Sequence, residues 1–369
     1  MSAFYAPIES NAYPGWPQGP AIEGAAAISI DASTHAVLYY KNADAKMYPA
    51  SITKIMTGLL ACEHLNMKDT YAISEAAAYG IEPGSSSIYA DTGELLTVEQ
   101  EMAALMLESA NEIALALAEQ TSGSVKKFVE LMNQRARELG CTNTHFNNPN
   151  GLHDENHYTT ASDMAKIAIA AWNNPLFRKF VTTDIYEIPP TNVQKETRYL
   201  RNHHGMMKNH DYPYDGVLGG KTGYTMAAGN TLVTYASKNN LGVVTVVMNS
   251  IGGAYSDTAS ILDYSFQNFQ RISLGYRYDP VPSGLLPYQI YSYKTGSSKT
   301  LFHARRSYYA TVPLNVPAGQ LKKETTLQRL ASGPYLLKDS YYYNDIFVGY
   351  GKQYSRKSLA YYLPTISFL

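Results

Sequence analysis

The sequence predicts a two-domain α+β protein: an antiparallel sheet with helices packed on it, followed by a small β-rich domain. Three observations predict it. Strand-like segments open and close the stretch from Ala25 to Phe269, and helical periodicity fills its middle. Strands distant in sequence can then meet in one sheet that the helices cover. Composition changes near Leu274-Gly275, beyond which 15 of the 32 tyrosines fall between Tyr276 and Tyr362 among short β-rich segments. The length of 369 residues exceeds what one compact domain usually needs. The expected domains are residues 1–274 and 275–369.

Each element has a local reason. Ala26 to Ile30 and His35 to Tyr40 read as strands around the polar turn Asp31-Ala32-Ser33-Thr34. After Pro49, the residues Ile52, Ile55, Met56, Leu59 and Leu60 recur at helical spacing and predict a helix buried along one stripe. Thr97-Val98-Glu99-Gln100 is a capping box. Its helix runs through Met106-Leu107 and is interrupted at Ser109-Ala110-Asn111, before a second apolar run from Ile113 to Leu117. A helix from Ser124 to Leu139 stops at Gly140, a residue suited to the left-handed turn after a helix. Asn147-Asn148-Pro149-Asn150-Gly151 is a turn. A helix from Ser162 to Trp172 ends before Asn173-Asn174-Pro175. Thr231 to Tyr235 and Val243 to Met248 are strands joined across Lys238-Asn239-Asn240, and an amphipathic helix follows from Asp257 to Phe269.

Composition excludes several classes. Apolar residues make up 45% and charged residues 17%, enough for a core and too little charge for a disordered chain. A formal net charge of −1 gives no electrostatic case for nucleic acid. Cys62 and Cys141 make no disulfide framework and read as buried thiols. No run of about 18 apolar residues appears. The start, Met1-Ser2-Ala3-Phe4-Tyr5-Ala6-Pro7, has neither a charged nor an apolar leader pattern. His153-Asp154-Glu155-Asn156-His157 has the wrong residue order for a helical zinc site and sits in a loop context, so no metal is expected.

Three short motifs carry the chemistry: Ser51-Ile52-Thr53-Lys54, Ser109-Ala110-Asn111 and Lys221-Thr222-Gly223. Each alone is weak. Ser124-Val125-Lys126-Lys127 also fits the first pattern, and Lys294-Thr295-Gly296 duplicates the third. A serine at a helix start is ordinarily a cap. Lys54, however, lies one turn on, beside an apolar stripe that disfavours its charged form. A neutral amine can take the hydroxyl proton and activate Ser51 as a nucleophile. Ser109 can relay a proton to a leaving amine, and Asn111 can hold a substrate amide and orient Lys54. Lys221-Thr222-Gly223 follows Gly219-Gly220 and is expected as a strand beside the cleft. There Gly223 admits a substrate backbone, and Thr222 and Lys221 suit a free carboxylate. Lys221 would also push the proton off Lys54.

As a set, these segments resemble the low-molecular-weight penicillin-binding proteins, the serine D-alanyl-D-alanine carboxypeptidases. The likeness is carried by Pro49 to Thr57, Glu82-Pro83-Gly84-Ser85-Ser86, Gly93 to Val98, Asn148 to Leu152, Asn156 to Thr160, Gly220 to Thr225, and Asp257-Thr258 with Leu262-Asp263-Tyr264. The resemblance implies a penicillin-binding, β-lactamase-like fold, an antiparallel sheet with helices on both faces, and a small C-terminal β domain. It implies Ser51 as nucleophile, Lys54 as base, Ser109 and Asn111 as the second-motif pair and Lys221 in the third. It implies an oxyanion hole from the N–H groups of Ser51 and Tyr224. Peptidoglycan stem peptides are the implied substrates, β-lactams the implied covalent ligands, and no cofactor is needed. Two departures stand out. Glu112 follows the second motif where Asp is commoner, and Gly252-Gly253-Ala254-Tyr255-Ser256 lacks the arginine many members carry. Carboxylate binding then falls to Thr222, Lys221 and His203 or Arg201.

The rivals on the same fold are a β-lactamase, a D,D-endopeptidase and a non-catalytic wall-binding module. No Glu-x-x-Leu-Asn segment lies between Asn111 and Lys221, as a β-lactamase would usually have. Such a substrate places the protein outside the cytoplasm, with a signal segment removed. A peripheral membrane association is compatible with these residues and not encoded by them, the chain ending at Ile366-Ser367-Phe368-Leu369.

Overall fold

A computed structural model describes residues 16–275, 302–304, 308–329 and 335–355. The segment from Met1 to Pro7, the second motif-like triplet Lys294-Thr295-Gly296 and the end from Ile366 to Leu369 lie outside the described residues. The described chain divides into two compact units. Residues 18–32 and 38–266 form one. Residues 16–17 and 33–37, with the described residues from 267 onward, form the other.

The first unit begins with β1 (Ala26–Asp31) and β2 (Val37–Lys41), a 3₁₀ turn (Ala50–Thr53) and α1 (Lys54–His64). Then come β3 (Thr70–Ala72), α2 (Glu75–Tyr79), β4 (Leu95–Thr97), α3 (Val98–Ala103), a π turn (Ala104–Glu108) and α4 (Asn111–Ser122). α5 (Val125–Glu138), α6 (Ala161–Asn173), α7 (Pro175–Val181), β5 (Ile185–Ile188) and β6 (Arg198–Arg201) follow. The unit closes with β7 (Val217–Thr225), β8 (Gly229–Lys238), β9 (Leu241–Ser250) and α8 (Ala254–Asn268). The main sheet runs in the order β2-β1-β9-β8-β7, so strands from the two ends of the unit meet at β1 and β9.

Successive side chains of a strand point to opposite faces, and the sheet uses both. The row Ile30–Val244–Tyr235 faces α6, where the Tyr235 hydroxyl donates to Ala168 O at 3.0 Å. The next row, Ser29–Thr245–Thr234, turns the other way, and Ser29 Oγ meets Ser265 Oγ of α8 at 3.0 Å. Helices therefore cover both faces. The apolar stripe from Ile52 in the 3₁₀ turn to Leu60 in α1 is buried. At α3, Thr97 Oγ1 accepts from Gln100 N and Gln100 Oε1 accepts from Thr97 N, which completes the capping box. Cys62 and Cys141 are free and buried, and burial pushes both thiols up to about 12.

Helix α7 lies where a stop is expected. Asn174-Pro175 ends α6, but the same pair starts the next helix: Asn174 Oδ1 accepts from Leu176 N and Phe177 N, and Pro175 takes the first helical position. A proline fits there because its missing N–H has no partner in any helix.

The second unit is β-rich. β10 (Phe269–Gly275) pairs with β12 (Tyr308–Pro313), while β11 (Phe302–Ala304) joins the sheet β11-β15-β14-β13, with β13 at Lys322–Arg329, β14 at Tyr335–Tyr343 and β15 at Ile346–Ser355. All these pairs are antiparallel. Trp16 packs its ring 5.6 Å from Phe269 and 6.0 Å from Tyr343, over a small core that includes Val312 and Val348. Among the described residues, no helix is long and apolar enough to cross a membrane.

Candidate active site

Ser51 sits in the 3₁₀ turn before α1, and its hydroxyl caps nothing. The turn's N-cap is Pro49 and that of α1 is Thr53, neither with a side-chain cap bond. The turn is set by strained and close-packed backbone. Ala50 is left-handed at φ +51°, a conformation that costs a residue with a Cβ. Gly151, at φ +86°, lies against it so closely that a Cβ there would stand 1.9 Å from Ala50 O. On the other side β7, an edge strand, brings Gly223 to where a Cβ would lie 2.8 Å from Ser51 N.

Lys54 is fully buried under this turn. Its Nζ lies 3.0 Å from Ser51 Oγ, 2.6 Å from Asn111 Oδ1 and 2.7 Å from Asn150 O. Burial holds the amine well below the ordinary lysine value, Lys221 pushes it further down, and Glu112 opposes both. A neutral amine has two N–H donors and one lone pair. Asn111 and Asn150 take the two donors, which leaves the lone pair aimed at the Ser51 hydroxyl.

The second motif follows the π turn. Ser109 is left-handed at φ +60°, and Ala110 N donates back to Ala104 O at 3.3 Å. The extra residue of a π turn ends the helix early and aims the following side chains into a site. Ser109 Oγ is buried with no hydrogen-bond partner among the described residues. Asn111 N donates to Ser86 O at 2.8 Å. Glu112, also buried, accepts at Oε1 from Ser87 Oγ at 2.7 Å and Ile88 N at 2.8 Å. The motif thus holds the loop whose Gly84, Ser85 and Ser86 line the cleft.

In the third motif, Lys221 is buried and donates to Thr222 O at 3.0 Å; burial lowers it to about 7, against the pull of Glu108. Thr222, Gly223 and Tyr224 line an open cleft of about 570 Å³ together with Ser51, Ser109 and Asn111. His203 stands at the cleft wall, half-exposed, with Nε2 3.0 Å from Glu108 Oε2. Arg201 does not line the cleft: its guanidinium donates to Asn209 O at 2.9 Å. Near Ala254, where an arginine is missing, the wall is aromatic, Tyr212 stacked on Tyr255 at 5.0 Å.

His157 has both ring nitrogens engaged. Nδ1 accepts from Asn147 N at 3.0 Å, so Nε2 carries the proton and donates to Thr53 Oγ1 at 2.9 Å. Burial lowers it to about 4. Its place is beneath the Ser51 turn. Sequence reasoning missed several parts: the Asn150 carbonyl, the Glu112 clamp on the loop and the Glu108–His203 pair. Only the Asn150-Gly151 turn signal pointed toward one of them.

Comparison with known proteins bears on the family and the fold. The family model for D-alanyl-D-alanine carboxypeptidases matches residues 15–252. The D-alanyl-D-alanine carboxypeptidase DacF of Bacillus subtilis is 36% identical over 255 residues, 67% of this chain and 63% of that protein. A Streptomyces D-alanyl-D-alanine carboxypeptidase is 31% identical, over 67% of this chain and 88% of its own. Among solved structures, a Streptomyces DD-transpeptidase superposes with a TM-score of 0.64 at 31% identity, over 68% of this chain and all of that one. Penicillin binding protein 5 of Haemophilus influenzae gives 0.73 at 25% identity, over 92% of this chain and 99% of that one. The match to the Bacillus relative spans under two thirds of its length.

Proposed function

Because the chain belongs to the D-alanyl-D-alanine carboxypeptidase family, we propose that it is a serine carboxypeptidase that removes the terminal D-alanine from peptidoglycan stem peptides. The observation that carries this reading is the buried Lys54 amine, 3.0 Å from Ser51 Oγ and fixed by Asn111 and Asn150. Ser51 Oγ attacks the carbonyl between two D-alanines while its proton passes to Lys54 Nζ. The N–H groups of Ser51 and Tyr224 stabilise the oxyanion. The C–N bond then breaks, and the proton reaches the departing amine by way of Ser109 Oγ, a buried hydroxyl otherwise unpartnered among the described residues. Water attacks the resulting ester, gives its proton to Lys54, and releases the shortened peptide with Ser51 restored.

Asn111 holds the acyl amide. Thr222 faces the terminal carboxylate, with Lys221 buried behind it and His203 at the wall; an unchanged kcat/KM in His203→Ala would remove His203 from that role. The chemistry calls for no metal or cofactor, and penicillins acylate the same serine. The reading assigns catalysis to residues 1–274 and a separate β-rich domain to 275–369. It puts the protein outside the cytoplasm, where this substrate lies. A second reading, cleavage of cross-links as a D,D-endopeptidase, is favoured by one feature: the cleft lining contains neither arginine nor lysine among the described residues.

Mass spectrometry after incubation with penicillin tests the assignment. The wild type is expected to gain one penicillin mass and Ser51→Ala none. An adduct that survives the substitution, or none on the wild type, sinks it. Release of D-alanine from a pentapeptide then separates peptidase from β-lactamase.

A further inference from the structure

A carbonyl that fixes a general base keeps its aim only if the backbone carrying it is held. Asn150 O meets Lys54 Nζ at 2.7 Å, yet residues 147–152 belong to no helix or strand. Other contacts must fix them. Within the loop, Asn148 Oδ1 accepts from Gly151 N at 2.7 Å and Asn148 Nδ2 donates to Leu152 O at 2.9 Å. From α1, Thr57 Oγ1 donates to Pro149 O at 2.6 Å. At the start of the loop, Asn147 N and Asn148 N both point at His157 Nδ1, at 3.0 and 3.3 Å.

The same ring reaches the nucleophile's turn. His157 is buried, with Phe146 set edge-on at 5.6 Å, and its Nε2 donates to Thr53 Oγ1 at 2.9 Å. Thr53 ends the 3₁₀ turn that carries Ser51 and precedes Lys54. One rigid ring therefore spans the turn that presents the nucleophile and the loop that presents the carbonyl. It can do so only while neutral, because Nδ1 needs its lone pair for two N–H donors. Burial lowers the ring to about 4; Asp154 opposes this, and His145 and His153 push it down further. The turn before α1 faces it with the uncharged Thr53 hydroxyl.

We propose that His157 is a positioning residue for the acyl transfer: its neutral ring ties the Asn150 loop to the Ser51 turn and so keeps the Asn150 carbonyl on Lys54. The inference rests on the catalytic reading above and adds a control on the same base. With the carbonyl in place, one N–H of Lys54 is occupied and the lone pair stays turned to Ser51. When the loop drifts, the amine rotates and the reactive geometry is lost. A proton on Nδ1 sets an N–H against two others and releases the loop.

The test measures the rate of penicillin acylation per acylable Ser51, so that unfolded protein drops out of the comparison. His157→Asn keeps an acceptor near the place of Nδ1, His157→Gln keeps a donor near the place of Nε2, and His157→Leu keeps neither. The rate is expected to fall by about ten- to a hundredfold in His157→Leu. His157→Asn should recover most of that loss and His157→Gln should not. If His157→Leu does not fold, the comparison of His157→Asn with His157→Gln decides alone. A rate as high in His157→Gln as in His157→Asn, or an undiminished rate in His157→Leu, overturns the role. The acid limb supplies a second readout. Wild-type kcat/KM for a D-Ala-D-Ala peptide should steepen by a further proton below about pH 4, reversibly, and His157→Asn should show no such bend. A wild type without the bend, or a His157→Asn variant that keeps it, also overturns the role while leaving the catalytic reading intact. Absence of both hydrolysis and penicillin adduct in the wild type would overturn the catalytic reading and this inference with it.

Discussion

A lysine acts as a base near neutral pH only if its charged form is disfavoured, and at Lys54 three influences decide that. Burial is the largest and lowers its pKa, Lys221 lowers it further, and Glu112 raises it. The two neighbours therefore make opposite predictions for the acid limb of kcat/KM against pH, which tracks loss of the proton from Lys54. Glu112→Gln keeps an acceptor for Ser87 and Ile88 but removes the negative charge, so the limb should move to lower pH. Lys221→Gln removes the positive neighbour, so it should move to higher pH, whatever the loss in maximal rate. Shifts of at least about half a pH unit in opposite directions are expected; shifts of one sign would show that Lys54 is not the titrating base. Ser51, Lys54 and Asn111 were legible in the sequence because their side chains are the chemistry. The Asn150 carbonyl was not, since every residue has one and only folding aims it. Glu112 is legible as a charge, but its hold on Ser87 and Ile88 depends on a loop more than twenty residues away in sequence.

At the scale of elements, the site depends on how the Ser51 turn is wedged. Ala50 keeps its left-handed backbone while Gly151 packs onto its carbonyl. The Asn147 to Gly151 segment was readable as a turn, yet nothing in it told which strand or helix it would press against. The same holds for the π turn after α3: the interruption at Ser109 was legible, but the extra backbone residue that produces it was not. Two glycines isolate the effect of contact. Gly140 has φ +75° with open space around it, and Gly151 has φ +86° with Ala50 O in the way. Gly140→Ala should cost about 1 kcal/mol, the backbone penalty alone, and leave penicillin acylation intact. Gly151→Ala must also displace the Ala50 carbonyl, so it should lower Tm further and slow acylation of Ser51. Denaturation curves and acylation rates measured side by side check this. Equal behaviour of the two variants would mean that the contact with Ala50 does not hold the nucleophile in place.

At the scale of the whole molecule, the meeting of opening and closing strands in one sheet was legible because both ends carry strand patterns and helices fill the interval, while only folding shows that β1 is the strand that pairs with β9. The recruitment of residues 33–37 and Trp16 into the second unit was not, because it rests on contacts far apart in sequence. Stability of the first unit contains a further dependence that hydropathy reading passes over. Glu101 of α3 is buried, and burial raises its pKa to about 8. Gln120 Nε2 donates to its Oε1 at 2.7 Å, while Glu101 Oε2 and Gln120 Oε1 are both buried without partners among the described residues. A proton on Oε2 gives the group a donor to offer Gln120 Oε1, so the acid and amide can satisfy each other; a carboxylate cannot do this. The sign follows from the raised folded value. The group's favourable contribution is complete below the unfolded pKa of 4.5 and is lost as pH rises through about 8, because over that range the folded chain binds the proton that the unfolded chain has released. Unfolding free energy should therefore fall by a few kcal/mol on the way to alkaline pH, a span set by the size of the shift. Glu101→Gln supplies the same donor and acceptor without the charge. It should flatten that slope and unfold later than the wild type at about pH 9, with little difference at about pH 5. Urea denaturation of both proteins at the two pH values measures it. A wild type with no greater alkaline loss than the variant would mean that Glu101 does not carry a proton in the fold.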